Sequence, residues 1–120
     1  MNIVLIILQA LVALIILNVW ILRSRRATPF RGADARNLRE EFAAYGLPSW
    51  FMGFVGMLKI TLALALLVGI WIPGLGSWAA IGLGVLMLGA FAMHLKIGDP
   101  FRKALPALTL LVLCGAIALL

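Results

Sequence analysis

The sequence predicts an all-α fold: an integral membrane four-helix transmembrane bundle with a short cytoplasmic interfacial helix between helices 1 and 2. Three observations carry this expectation. Of 120 residues, 65% are hydrophobic and 12% are charged, and mean hydropathy is +1.18. Soluble domains average about a quarter charged, and so short a chain exposes too much of its surface to hide that apolar excess. Four apolar runs have the length, about 17 to 25 residues, that a helix needs to cross the hydrocarbon layer. Nine of the ten basic residues fall on two loops that four spans place on one side. The whole chain, 1–120, reads as a single transmembrane domain.

The first span is expected over 3–22. No basic residue precedes its apolar run, and Asn18-Val19-Trp20 is a poor small-residue cleavage site. The run therefore reads as a retained span rather than a signal peptide. The loop after it carries Arg23, Arg25, Arg26, Arg31, Arg36 and Arg39. Within this loop Asp34 can cap a helix over 35–45, ended by Gly46 and Pro48. Leu38, Phe42 and Tyr45 share one face of it, with Arg36, Arg39 and Glu40 elsewhere, so the helix should lie in the interface or fold back over the bundle.

The second span is expected over 49–72 and the third over 75–95, joined by "PGLGS", which carries no basic residue. After the third span come Lys96, Arg102 and Lys103. In "GDP", Gly98 suits the end of one helix, Asp99 an N-cap and Pro100 the first position of the next. The fourth span is then 100–120, with Pro106 bending it. Trp20, Trp50, Trp71 and Trp78 all fall near span ends, as interfacial anchors do. The distribution of Lys and Arg places both loops in the cytoplasm and both termini outside, in a bacterial inner membrane.

The tenth basic residue is Lys59, in the middle of "FVGMLKITLALALL". A lysine at the centre of a span costs about 2.5–3.5 kcal/mol on insertion scales. Facing lipid it would gain nothing, so it should face the bundle interior. Gly53, Gly56 and Ala63 lie on its side of the helix, and small residues let helices approach. At 1.5 Å per residue, Lys59 lies roughly 15 Å from the cytoplasmic boundary, and Asn18 and His94 roughly 5 Å from it. A snorkelling lysine stem would bring its ammonium toward that level. The candidate ligand-binding set is therefore Lys59, His94, Asn18 and Asp99. Gln9 and Thr61 read as interhelical hydrogen-bonding groups.

Other chemistry finds no support. There is no CxxC, no HExxH and no second histidine, so a metal site is not expected. Met57, Met87, Met93, His94 and Cys114 are soft ligand types, but methionine is ordinary filler in apolar helices. The net charge of +6 suits anionic headgroups beside the spans rather than nucleic acid. The lone Cys114 cannot form an intramolecular disulfide.

The stretch from about Leu47 to about Leu111 resembles the DoxX-like family of small four-helix bacterial membrane proteins. The resemblance is carried by "VGMLKI" in the second span and "MLGAFAMHLKIGDP" ending the third. Some branches of that family carry a glutamate where this chain has Lys59. The family takes its name from a subunit associated with a thiosulfate:quinone oxidoreductase, and distant eukaryotic relatives assist membrane-protein assembly. The resemblance leaves the activity open; with no redox-cofactor ligands of its own, the chain is expected to be an accessory or binding subunit rather than an autonomous enzyme, with no cofactor beyond a quinone or other lipid that the polar intramembrane site could bind. The alternatives are an assembly or interaction factor, and a small-solute or proton pathway formed by an oligomer. The partners implied are the bilayer and a membrane protein or further copies of the chain.

Overall fold

In a computed structural model, residues 3–22 and 35–120 are described. Residues 23–34, with Arg23, Arg25, Arg26, Arg31 and the expected Asp34 cap, lie outside them. Among the described residues all regular structure is helical. Helix α1 spans Ile3–Leu17 and continues as a π-helical stretch, Asn18–Leu22. Then follow α2 (Leu38–Ala44), α3 (Ser49–Val68), α4 (Leu75–Lys96) and α5 (Phe101–Leu119). Four of these helical segments are long and apolar enough to cross a membrane.

The long helices close into a ring in which α1 contacts α3 and α5, and α4 contacts α3 and, most extensively, α5. The inward stripe holds Val12, Ala13, Ile16, Ala63, Leu66, Ala80, Leu83, Met87, Cys114 and Ile117. Outward, Leu14, Trp78, Val85 and Val112 are each at least 60% exposed. Apolar residues on every face are what a helix packed against both neighbours and lipid requires.

Each connection has a local cause. Pro73-Gly74 forms the turn into α4: Leu75 N donates to Ile72 O at 3.3 Å, and Gly74 has φ +86°, the left-handed position of a Pro-Gly turn. Helix α3 is shorter than expected, ending at Val68 rather than 72. At the other end of the bundle α2 and α4 each stop on a left-handed glycine, Gly46 and Gly98. Leu47 N donates to Phe42 O and Gly46 N to Ala43 O, while Asp99 N donates to His94 O and Gly98 N to Leu95 O. Both are the paired closing bonds of a Schellman motif.

Helix α2 starts at Leu38, not at 35, because Asn37 caps it: Asn37 Oδ1 accepts from Glu40 N at 2.8 Å. Leu38, Phe42 and Tyr45 are all buried against the bundle. Phe42 meets Trp20 edge-to-face at 5.9 Å, and Lys96 Nζ donates to Tyr45 O at 3.0 Å. The two basic loops therefore meet at one end of the bundle. At the start of α5, Pro100 occupies the N-cap and Asp99 is not the capping residue; its carboxylate is drawn to His94 instead. Pro106 sits inside α5.

Candidate functional site

Beneath α2 the four long helices enclose a cavity of about 590 Å³, within the range of sites that hold one small molecule. Its walls are mostly apolar: Ile15, Ile16 and Val19 from α1, Val55 from α3, Met87 and Ala90 from α4, Ala107 and Leu110 from α5. Its polar groups are Asn18, Glu41, Tyr45, Lys59, His94 and Lys103. Val85, 65% exposed, and Gly89, also exposed, belong to the same lining. The cavity thus reaches the flank of α4 that faces lipid.

Lys59 is 7% exposed, and its Nζ lies 5.0 Å from the centre of the Trp20 ring, within cation–π reach. Trp20 reaches that position because Gly56, one turn before Lys59, carries no side chain. A Cβ there would fall 2.9 Å from two of the indole carbons. The π-helical stretch at the end of α1 places Asn18, Val19 and Trp20 together in the lining; such widened turns are frequent at functional sites.

A hydrogen-bonded row borders the cavity. The Tyr45 hydroxyl donates to Glu41 Oε1. His94 Nε2 stands 3.4 Å from the same hydroxyl, and the two rings meet edge-to-face at 5.8 Å. His94 Nδ1 donates to Asp99 Oδ2 at 2.8 Å, since a carboxylate only accepts. The Schellman turn at Gly98 makes this contact possible: it brings Asp99 N onto His94 O and swings the Asp99 side chain back onto the same residue's ring. Asp99 fixes the imidazole so that Nε2 faces Tyr45 and the cavity.

Three of the four sequence-proposed residues, Lys59, His94 and Asn18, line one cavity. Asp99 stands behind His94, outside the lining. Four further residues of the site escaped the sequence reading. Glu41 and Tyr45 come from α2, Trp20 from the end of α1 and Lys103 from the start of α5. Spacing carried a signal for the first two, because 38, 41, 42 and 45 form one helical stripe, which puts Glu41 on the buried face. Trp20 is not a lipid-facing anchor like Trp50, Trp71 and Trp78, which are at least 70% exposed. Gly53 and Thr61 are exposed, so neither serves the helix contact expected of it.

The fold and the cavity together define a small four-span membrane protein with a mostly apolar cavity bordered at one end by polar side chains. The chain belongs to the DoxX-like family, whose family model matches residues 7–117. The match takes in α1 and so extends well beyond the 47–111 stretch that the sequence suggested. A curated relative, the uncharacterized protein YdgD of Bacillus subtilis (strain 168), is 42% identical over 60 residues, 47% of this chain and 49% of that protein. The chain spans about half the length of the curated relative it matches. No solved structure matches it.

Proposed function

We propose that this protein is an accessory or binding subunit whose cavity takes up a lipid-soluble ligand, such as a quinone, from the bilayer. The observation that carries this reading is the cavity itself. It has apolar walls, a polar end built from Lys59, Asn18, Tyr45 and His94, and a side that reaches the lipid-facing flank of α4. An apolar ligand body buries its surface against the walls, and a headgroup carbonyl accepts from Lys59 or Asn18, donors at one end of the slot. The end bearing α2 faces the cytoplasm of the inner membrane, because Arg36, Arg39, Lys96, Arg102 and Lys103 gather there.

Trp20 lines the cavity and reports its occupancy. With Trp50, Trp71 and Trp78 replaced by Phe, decylubiquinone titrated into purified protein should quench the remaining Trp20 emission to saturation. Mass spectrometry of an organic extract of the native protein should show a co-purifying lipid-soluble molecule. Non-saturable quenching together with an extract that holds only bulk lipid would reject the reading in favour of an assembly or interaction role.

A further inference from the structure

The cavity reading leaves the chemistry of the headgroup open, and Lys59 narrows it. Resting on that reading, we infer that the cavity selects a single-chain amphiphile with an anionic head, a carboxylate of the fatty-acid class, whose charge is met by Lys59.

Lys59 brings a formal positive charge into a mostly apolar chamber and is more than nine-tenths buried. Among the described residues no carboxylate oxygen comes within 4.0 Å of its Nζ, and the ring face of Trp20 is its close partner. A cation–π contact satisfies a small part of what an ammonium loses on leaving water. The ammonium offers three N–H donors. The Glu41 carboxylate attracts the ammonium through space without bonding to it; its Oε1 accepts from Tyr45, and Asp99 accepts from His94. Lys103, on α5, adds a second cation to the lining, and Asn18 adds an uncharged amide donor. Glu41 faces the same space and is the repulsive element against an anion there.

Size and access fit one acyl chain. A chamber of about 590 Å³ encloses one small ligand and is too small to take in a whole two-chain phospholipid. The opening beside Val85 and Gly89 lies along a span, where a single chain resting in the bilayer can slide in sideways. Gly89 borders that opening and a Cβ there would meet no atom within 4 Å, so the helix tolerates a larger residue at this position.

The test compares radiolabelled dodecanoate with its uncharged methyl ester and with decylubiquinone, each binding to the detergent-purified full chain. Wild-type protein should bind dodecanoate at least ten-fold more tightly than the ester. Lys59→Met should remove that difference, Lys59→Arg should keep most of it, and Gly89→Phe should weaken dodecanoate binding with Lys59 intact. Circular dichroism confirms that each variant is helical. Equal affinity for acid and ester, or an acid preference that survives Lys59→Met, would overturn the inference. Binding of decylubiquinone but not of dodecanoate would overturn it while leaving the cavity reading in place. Failure of all three probes to bind would overturn both.

Discussion

Gln9 closes a backbone bond that α3 leaves open. At the end of α3, Gly69 N donates to Ala65 O at 2.8 Å and Ile70 N donates to Leu67 O at 3.1 Å, which passes over the carbonyl of Leu66. Gln9 Nε2 reaches it from α1 at 2.9 Å, and Gln9 is 3% exposed. A membrane interior has no water to accept that role, so the carbonyl needs a protein donor. Gln9→Leu should therefore destabilise the bundle by about 1–2 kcal/mol, read as a lower denaturant midpoint in mixed micelles. Gly76 lies against the same side chain: a Cβ on it would fall 2.5 Å from Gln9 Nε2. Gly76→Ala should be costly in the wild-type protein and much milder when position 9 is already alanine, a coupling that a double-mutant cycle measures. The sequence identified Gln9 as an interhelical donor but could not name its acceptor. That carbonyl is exposed only because α3 ends at Val68, a boundary set by the turn beyond it. Thr61 carried the same expectation and faces outward, since hydrogen-bonding capacity alone does not fix which side of a helix meets a neighbour.

At the scale of elements, α2 joins fold to site. Seven residues cannot hold a helix by propensity alone. Its stability comes from Leu38, Phe42 and Tyr45 buried on the bundle, from Lys96 on its terminal carbonyl, and from the Asn37 cap. The Trp20–Phe42 pair adds about 0.5–1.5 kcal/mol beyond its buried area. Asn37→Ala should cost about 1 kcal/mol. The loss should appear as faster hydrogen exchange confined to the amides of 40–47, with the long helices unchanged; faster exchange across α3 and α4 as well would mean that α2 is not a separately opening unit. The amphipathic stripe of α2 was legible because it is a local periodicity. Glu41 was not, although it shares the stripe, because a carboxylate reads as solvated until a buried tyrosine hydroxyl is known to meet it. Trp20 shows the opposite limit. Its position near a span end says interfacial anchor, and only Gly56 on another helix, distant in sequence, reveals that it turns inward.

For the whole molecule, the ring of four long helices places two kinds of surface at right angles. The sides are apolar and lipid-facing, and one end gathers α2 with Arg36, Arg39, Lys96, Arg102 and Lys103. Lys96 bonds to Tyr45 O there, so the two basic loops belong to one end as a matter of structure, independent of any charge rule. The charge rule adds the direction. Basic residues close to span ends resist translocation and stay in the cytoplasm, whereas the opposite turn, Pro73 to Ser77, has none. In a Cys114→Ser background, single cysteines at Arg102 and at Ser77 should therefore react from opposite sides of intact cells. A membrane-impermeant maleimide added outside should label Ser77→Cys at once and label Arg102→Cys only after the inner membrane is permeabilised. The reverse order would turn the bundle over, setting the basic end and the polar end of the cavity toward the outside. Labelling of both from outside would contradict the four-span arrangement itself. The result also fixes the leaflet that feeds the chamber. The opening runs along α4 from Val85 at its middle to Gly89 on the α2 side, so on the proposed reading a cytoplasmic α2 would have the ligand enter from the inner leaflet.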